Sequence, residues 1–403
     1  MLPRSYQKLP AIVLCCFAML GNLVRADEPA RAGEFPSLSK PIQELMEEYQ
    51  AIGLAVAVVR NGEPVHAESF GLRSLETKEP LRAEDLFRIA SISKSFSATA
   101  VMQLVEAGKL QLSDDAGDLA GFSIRNPEHP DTPITLKMLL SHSSSLNDSQ
   151  GYFSLDVLDP SKATYAPKCF SPKKPGTEHR YCNLNFNLIG AIIERASGER
   201  FDDYVANHIL KPLGLTGGYR VDALDADRFV TLYEYDSNTK SFTPSPNAYH
   251  PRREEIDRYV FGYSTPIFSP TGGMKISASD LARYMTMHMQ MGEVDGVRIL
   301  SAEHAKLMQT PVLESSGYGL AITTTNKLIP GQMLKGHTGS AYGLYSMMFF
   351  HPEKKFGFVL ITNGCNPKQS EGQTEFMNRA ARLVYREWIQ PSRNIPLSKT
   401  ESP

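Results

Sequence analysis

The chain reads as an α+β protein: an antiparallel sheet flanked by helices, with a mainly helical domain inserted between its two parts. Three observations lead there. A hairpin pattern lies near the start, a second pair of apolar strands lies near the end, and the long middle has helical periodicity or none.

Taken in order, Ile42, Leu45, Met46 and Tyr49 fall at i, i+3, i+4 and i+7, one face of a short helix. Residues 53–60 (GLAVAVVR) are β-branched and apolar, Asn61-Gly62 is a preferred two-residue hairpin turn, and residues 63–70 return. Residues 345–350 and 356–363 make a second apolar pair around Pro352-Glu353-Lys354-Lys355. A final helix puts Phe376, Ala380, Leu383, Val384 and Trp388 on one side. An isolated hairpin is marginal in water, so both pairs are best satisfied by joining one sheet covered by the terminal helices. The expected division is a discontinuous sheet domain over residues 36–92 and 268–391, with a mainly helical insertion over 93–267. Within the insertion, Leu188, Ile189, Ile192 and Ile193 mark a buried helix over 184–196, stopped by Ser197-Gly198. Residues 219–263 are rich in Tyr, Asp, Pro and Arg with little periodicity, as in a long surface excursion or a lid.

At 403 residues, 41% hydrophobic and 21% charged, the chain can bury a substantial core. The formal net charge is -2, and no basic run is interleaved with aromatics, so nucleic acid is not an expected partner. The first 26 residues contain Arg4, Lys8 and Arg25 but no acid, and an apolar run over 9–24 interrupted by Pro10, Gly21 and Asn22. They read as a cleaved export signal ending near Val24-Arg25-Ala26, ahead of an uncleaved anchor or a lipidated cysteine, for which Leu14 and Cys15 are unsuited neighbours. The expected location is therefore periplasmic or secreted, with no stable membrane insertion after cleavage. Export would leave Cys169, Cys182 and Cys365. Cys169 and Cys182 could bridge if their Cα atoms come within ~4.4 to 6.8 Å, but three free thiols are the simpler reading.

Several chemistries are missing their motifs. There is no His-Glu-x-x-His, no Cys-x-x-Cys, no phosphate-cradling Gly-rich loop and no Gly-x-Ser-x-Gly elbow. The ten histidines are scattered, and neither a metal nor a cofactor is expected. What remains is Ser91-Ile92-Ser93-Lys94. As a bare pattern Ser-x-x-Lys carries little, since Ser5/Lys8, Ser37/Lys40, Ser171/Lys174 and Ser237/Lys240 match it too. Only Ser91 opens a helical run, with Phe96, Ala100, Val101 and Leu104 on a buried face, after the strand-like residues 86–90. Residues i and i+3 are helix neighbours, so the Lys94 amine can fold over the Ser91 hydroxyl. A serine becomes nucleophilic when a base takes its proton, and lysine serves as that base if burial or a helix N-terminus lowers its pKa. A capped, solvated helix start is the alternative for this motif alone. Two further motifs weigh against that alternative. Tyr181-Cys182-Asn183 is the single Tyr-x-Asn in the chain, and His337-Thr338-Gly339 occurs once, just before the strand at 345.

With these three motifs in order, the chain resembles the penicillin-recognising serine hydrolases, in the branch holding class C β-lactamases, D-alanyl-D-alanine carboxypeptidases, esterases and D-amino-acid amidases. The resemblance runs over residues 36–388 and includes the segments at 110–115, 139–145 and 271–277. It implies a β-lactamase/transpeptidase-like fold with Ser91 as acylated nucleophile, Lys94 as its base and Tyr181 as proton shuttle. It further implies that Asn183 holds the substrate amide, that His337, Thr338, Gly339 and Ser340 line the substrate, and that the N–H groups of Ser91 and Ser340 form an oxyanion hole. Three departures stand out. His337 replaces the lysine of most β-lactamases and would carry charge only in acid, which implies a weak, pH-dependent grip on a substrate carboxylate. Cys182 stands where serine is usual, and Ser143-Ser144-Ser145 stands where Thr-Ser-Gly is usual. The implied activity is hydrolysis of a small-molecule or peptide substrate, D-Ala-D-Ala carboxypeptidase-like first. Esterase or D-amino-acid amidase, class C β-lactamase, and a penicillin-binding sensor without turnover are the alternatives.

Overall fold

Strand pairing near the two ends of the described chain builds one sheet. The structure, a computed structural model, describes residues 37–370 and 373–390; the export signal read in residues 1–26 lies outside them. Strands β1 (Gly53–Arg60) and β2 (Glu63–Gly71) form the first hairpin, with Asn61 and Gly62 both at positive φ as a tight turn of this hand requires. With β3 (Phe87–Arg88), β4 (Gly217–Gly218) and β5 (Lys275–Ile276) lying elsewhere, the sheet is completed by β6 (Thr323–Thr325), β7 (Leu334–Ala341), β8 (Leu344–His351) and β9 (Phe356–Thr362). Its order is β6-β7-β8-β9-β1-β2, antiparallel throughout. The junction is β1 on β9, with Leu54 opposite Thr362 and Val59 opposite Gly357. The two hairpins therefore do share one sheet, and β6 is a strand that sequence periodicity does not reveal.

Alternate residues of β1 serve two cores. Leu54, Val56 and Val58 meet helices α1 (Ser39–Glu48) and, near the C-terminal end, α5 (Glu375–Val384) with Trp388. Ala55, Ala57 and Val59 face a larger core that includes α2 (Ser93–Glu106), α3 (Asn183–Ser197) and α4 (Ala278–Met289). Both faces of the strand are buried, which is why its sequence is continuously apolar instead of alternating. Burying each Val or Leu contributes ~1.5 to 3 kcal/mol, so the sheet is a rigid base for what stands on its edge.

Two features position the site. Helix α2 is buried almost all round, from Ser93 to Met102, so its start is held from every side. Outside the main sheet, β5 lies between β3 and β4 and ties the segment before Ser91 to that after Thr271. Residues 219–263 hold a small hairpin, Tyr233–Asp236 with Ser241–Pro244, and several single turns. Cys169, Cys182 and Cys365 are buried free thiols, so the Cys169–Cys182 bridge is not formed.

Candidate active site

Ser91 stands just before the α-helix that its spacing suggests it opens. It lies in a 3-10 turn, Ala90–Ile92, from which α2 continues at Ser93. Ala90 is held at φ 49°, a left-handed conformation that a non-glycine residue adopts at a cost of ~1 kcal/mol or more. The turn is pinned from the sheet: Ser346 Oγ on β8 donates to Ile89 O at 3.0 Å. Gly339 on β7 passes so close that a Cβ there would stand 2.3 Å from Ile89 O and 3.1 Å from Ser91 N. That close approach is the reason for glycine in the third motif.

Lys94 is fully buried, and its Nζ lies 3.0 Å from Ser91 Oγ. The amine also donates to Asn183 Oδ1 at 2.9 Å and Thr271 O at 3.0 Å. Two fixed acceptors use the two N–H bonds of a neutral amine and leave its lone pair toward the serine. Burial lowers the Lys94 pKa to about 7, with the negative charge of Asp148 opposing the shift. Lys94 Nζ is also 4.7 Å from the centre of the Tyr181 ring. Tyr181 is 41% exposed, yet its phenol is pushed up by desolvation, with Ser91 opposing. Desolvation is the larger effect and raises the phenol well above its ordinary pKa, so it enters the reaction protonated.

Asn183 has its amide group partly committed. Its Oδ1 accepts from Lys94 and from Thr271 Oγ1, and its Nδ2 donates to Asp148, which leaves one N–H for a substrate carbonyl. Asp148 was not singled out by the sequence. Its carboxylate accepts from the backbone N–H of Asn183 and Leu184, from Asn183 Nδ2 and from Cys182 Sγ. It thus caps α3 from a distant part of the chain. A signal existed: the residue before α3 is Cys182, which makes no side-chain cap, so a partner had to come from elsewhere. The Ser143-Ser144-Ser145 departure is accommodated, with Ser145 at φ 68° where glycine would be unstrained and its Oγ accepting from Asn126.

His337 corrects an expectation. Its Nδ1 is 2.6 Å from Thr338 O, and a carbonyl can only accept, so Nδ1 carries the proton. Nε2 then accepts from the buried Tyr318 hydroxyl at 2.9 Å. Both nitrogens are committed inside the protein, and burial, with nearby Lys94 adding to it, pushes the His337 pKa down to about 3. It is therefore neutral from pH 6 to 8 and offers no pH-dependent grip on a carboxylate.

A cleft of about 640 Å³ runs along this constellation, lined by Ser91, Tyr181, Asn183, Thr338 and Ser340 among others. Strand β6 pairs with β7 only from Leu334 to Gly336, so among the described residues the edge of β7 from Thr338 onward has no strand paired on that side, and it borders the cleft. An open strand edge beside a nucleophile suits an extended acyl group with backbone-like polar atoms.

A profile of the Beta-lactamase family matches residues 38–382. Penicillin-binding protein 4 of Amycolatopsis lactamdurans is 29% identical over 338 residues, covering 79% of this chain and 83% of that one. A Beta-lactamase of Lysobacter lactamgenus is 25% identical over 394 residues, 90% of this chain and 94% of that one. Among solved structures, the octameric penicillin-binding protein homologue from Pyrococcus abyssi superposes with a TM-score of 0.68 at 26% identity, over 87% of this chain and 78% of that one.

Proposed function

From its membership of the Beta-lactamase family, to which this chain belongs through residues 38–382, we propose a specific activity: an exported serine hydrolase that turns over small esters, amides or peptides through an acyl-enzyme on Ser91. The observation that carries it is the buried Lys94 amine, 3.0 Å from Ser91 Oγ with its other bonds already made. Neutral Lys94 takes the hydroxyl proton as Oγ attacks the substrate carbonyl. The tetrahedral oxyanion lies against the N–H groups of Ser91 and Ser340; losing one such donor costs ~10² to 10³ in rate. The proton passes through the Tyr181 phenol to the leaving alcohol or amine, which departs. Water then attacks the acyl carbon, gives its proton back along the same route, and the acid leaves with Ser91 restored.

Neutral His337 favours a scissile bond without a carboxylate close to the third motif, which puts esters and amides first. A D-Ala-D-Ala carboxypeptidase is the second reading, favoured by the likeness to penicillin-binding protein 4; it requires the terminal carboxylate to be met by a group other than His337. Intact mass of the purified protein over time, after mixing with an activated short-chain ester or with a penicillin, tests the proposal against Ser91→Ala. An adduct absent from the variant and decaying with product release supports turnover. A lasting adduct supports a sensor instead, and no adduct with either compound overturns the acyl-enzyme.

A further inference from the structure

Beside the Ser91 cleft lies a second cavity of about 460 Å³, and the two share Arg88, Phe153, Ser269 and Tyr342 as a common wall. Its lining is cationic. Arg88 on β3 and Lys275 on β5 are cross-strand partners. Directly opposed residues put their side chains on one face, Cβ atoms ~4.5 to 5.5 Å apart, and like charges so placed repel. Neither has a carboxylate partner among the described residues. Arg88 donates to the carbonyls of Gly272 and Ala248 and lies over the Tyr342 ring, and Lys275 donates to the Tyr219 carbonyl. Arg220 and Arg252 also line the cavity; its one acid, Glu255, is held by Arg252 at 3.0 Å. Burial, with Arg88 adding to it and Asp202 opposing, pushes Lys275 well below the ordinary lysine range. Half-buried Arg88 and buried Lys275 thus share a cavity whose one lining acid is already held by Arg252, and an anion from outside would complete them.

We propose that this cavity is an anion subsite of the hydrolase: a carboxylate or phosphate carried by the substrate is held by Arg88, Lys275 and Arg220 while the substrate carbonyl lies on Ser91. The inference rests on the acyl-enzyme reading above and narrows it to substrates with a remote anionic group. It also supplies the charge that His337 lacks, away from the third motif.

The test compares matched esters. 4-Nitrophenyl hydrogen adipate against 4-nitrophenyl methyl adipate places the charge on the acyl side, and 4-acetoxybenzoate against its methyl ester places it on the leaving group. In one pair, the wild type should prefer the free acid by ~10-fold or more in kcat/KM, the scale of charge-assisted hydrogen bonds. Lys275→Met should remove that preference while leaving the neutral ester within ~2-fold, since buried cations exchange for apolar groups of similar volume at little cost. Arg220→Gln, at an exposed position, keeps the test open if Lys275→Met fails to fold, and should reduce the preference in the same sense. Inorganic phosphate should compete with the acid ester and not with the neutral one; phosphate that accelerates the neutral ester would instead make this a site for a free anion and overturn the assignment to substrate. Hydrolysis of neutral esters with no acid preference in either pair, or a preference surviving both variants, overturns the subsite alone. Failure of all four esters to acylate Ser91 overturns both readings.

Discussion

Lys94 is the residue on which the proposed chemistry is most exposed to refutation. With its pKa lowered to about 7, the neutral, proton-accepting form rises from ~1% of molecules at pH 5 to ~90% at pH 8, so single-turnover acylation of Ser91 should increase ~90-fold across that interval and then flatten. The assay is stopped-flow release of 4-nitrophenol from a neutral ester under enzyme excess, corrected for spontaneous hydrolysis. Stability should carry the same signature with a definite sign. The folded-state pKa lies below the ordinary value of 10.5, so between pH 7 and 10.5 the unfolded chain binds more protons and native stability falls as pH falls, by up to ~1.4 kcal/mol per unit. Lys94→Met should abolish acylation and also remove that slope from chemical-denaturation midpoints measured at pH 7, 8 and 9. A flat acylation profile from pH 5 to 8, an inflection near pH 10, or retained acylation in Lys94→Met would refute the assignment of Lys94 as base.

Further predictions follow from neighbouring contacts. Gly339→Ala would drive a Cβ toward Ile89 O, separating β7 from the nucleophile turn; kcat/KM should fall by ~10² or more, the cost of a displaced oxyanion donor, and steady-state rates near wild type would show that the strand yields. Asp148→Asn leaves donors facing donors at the start of α3, so the melting temperature should drop by several degrees, equivalent to ~1 to 3 kcal/mol. Because Asp148 favours charged Lys94, the same variant should move the acylation inflection to lower pH, and an unmoved inflection would count against their coupling. Cys182→Ser should keep activity within ~3-fold, its hydroxyl replacing the thiol bond to Asp148. Finally, in Lys275→Met the ratio of rates on carboxylate-bearing and neutral substrates should stay constant between pH 6 and 8 because His337 remains neutral, and a ratio that falls with pH in that variant would restore its role as a cation.

The parts of the fold that could be read in advance are those whose physics is local. The Asn61-Gly62 turn needs positive φ at two adjacent residues, and the strands on either side carry their own apolar signal. Ser91 and Lys94, like Tyr181 and Asn183, are close in sequence and come together within one or two turns of chain. What escaped is what depends on distant partners or on very short elements. Strands β3, β4 and β5 are two residues each, too short to show a period, although together they place Arg88 against Lys275. Helix α4 did leave a trace, Ser277 capping the N–H of Asp280, but its apolar face competes with a run of Met and Tyr that reads ambiguously.

His337 shows where that limit falls in chemical terms. The motif correctly selects the residue that stands beside the Ser91 cleft, but residue type by itself supplies only an ordinary imidazole that titrates near pH 6.5. Its real state is set by Tyr318, which lies on another segment, donates to Nε2, and is itself buried. Protonating His337 would set a second donor against that hydroxyl in a site already holding Lys94, so the neutral form wins by both hydrogen bonding and charge. A lysine in its place could not accept from Tyr318 and would have to project its charge into the cleft or bury it unpaired. The exchange of lysine for histidine therefore goes with the tyrosine behind it: together they remove a cation from the third motif, which is why the proposed contact for an anionic part of the substrate falls along the Arg88 wall.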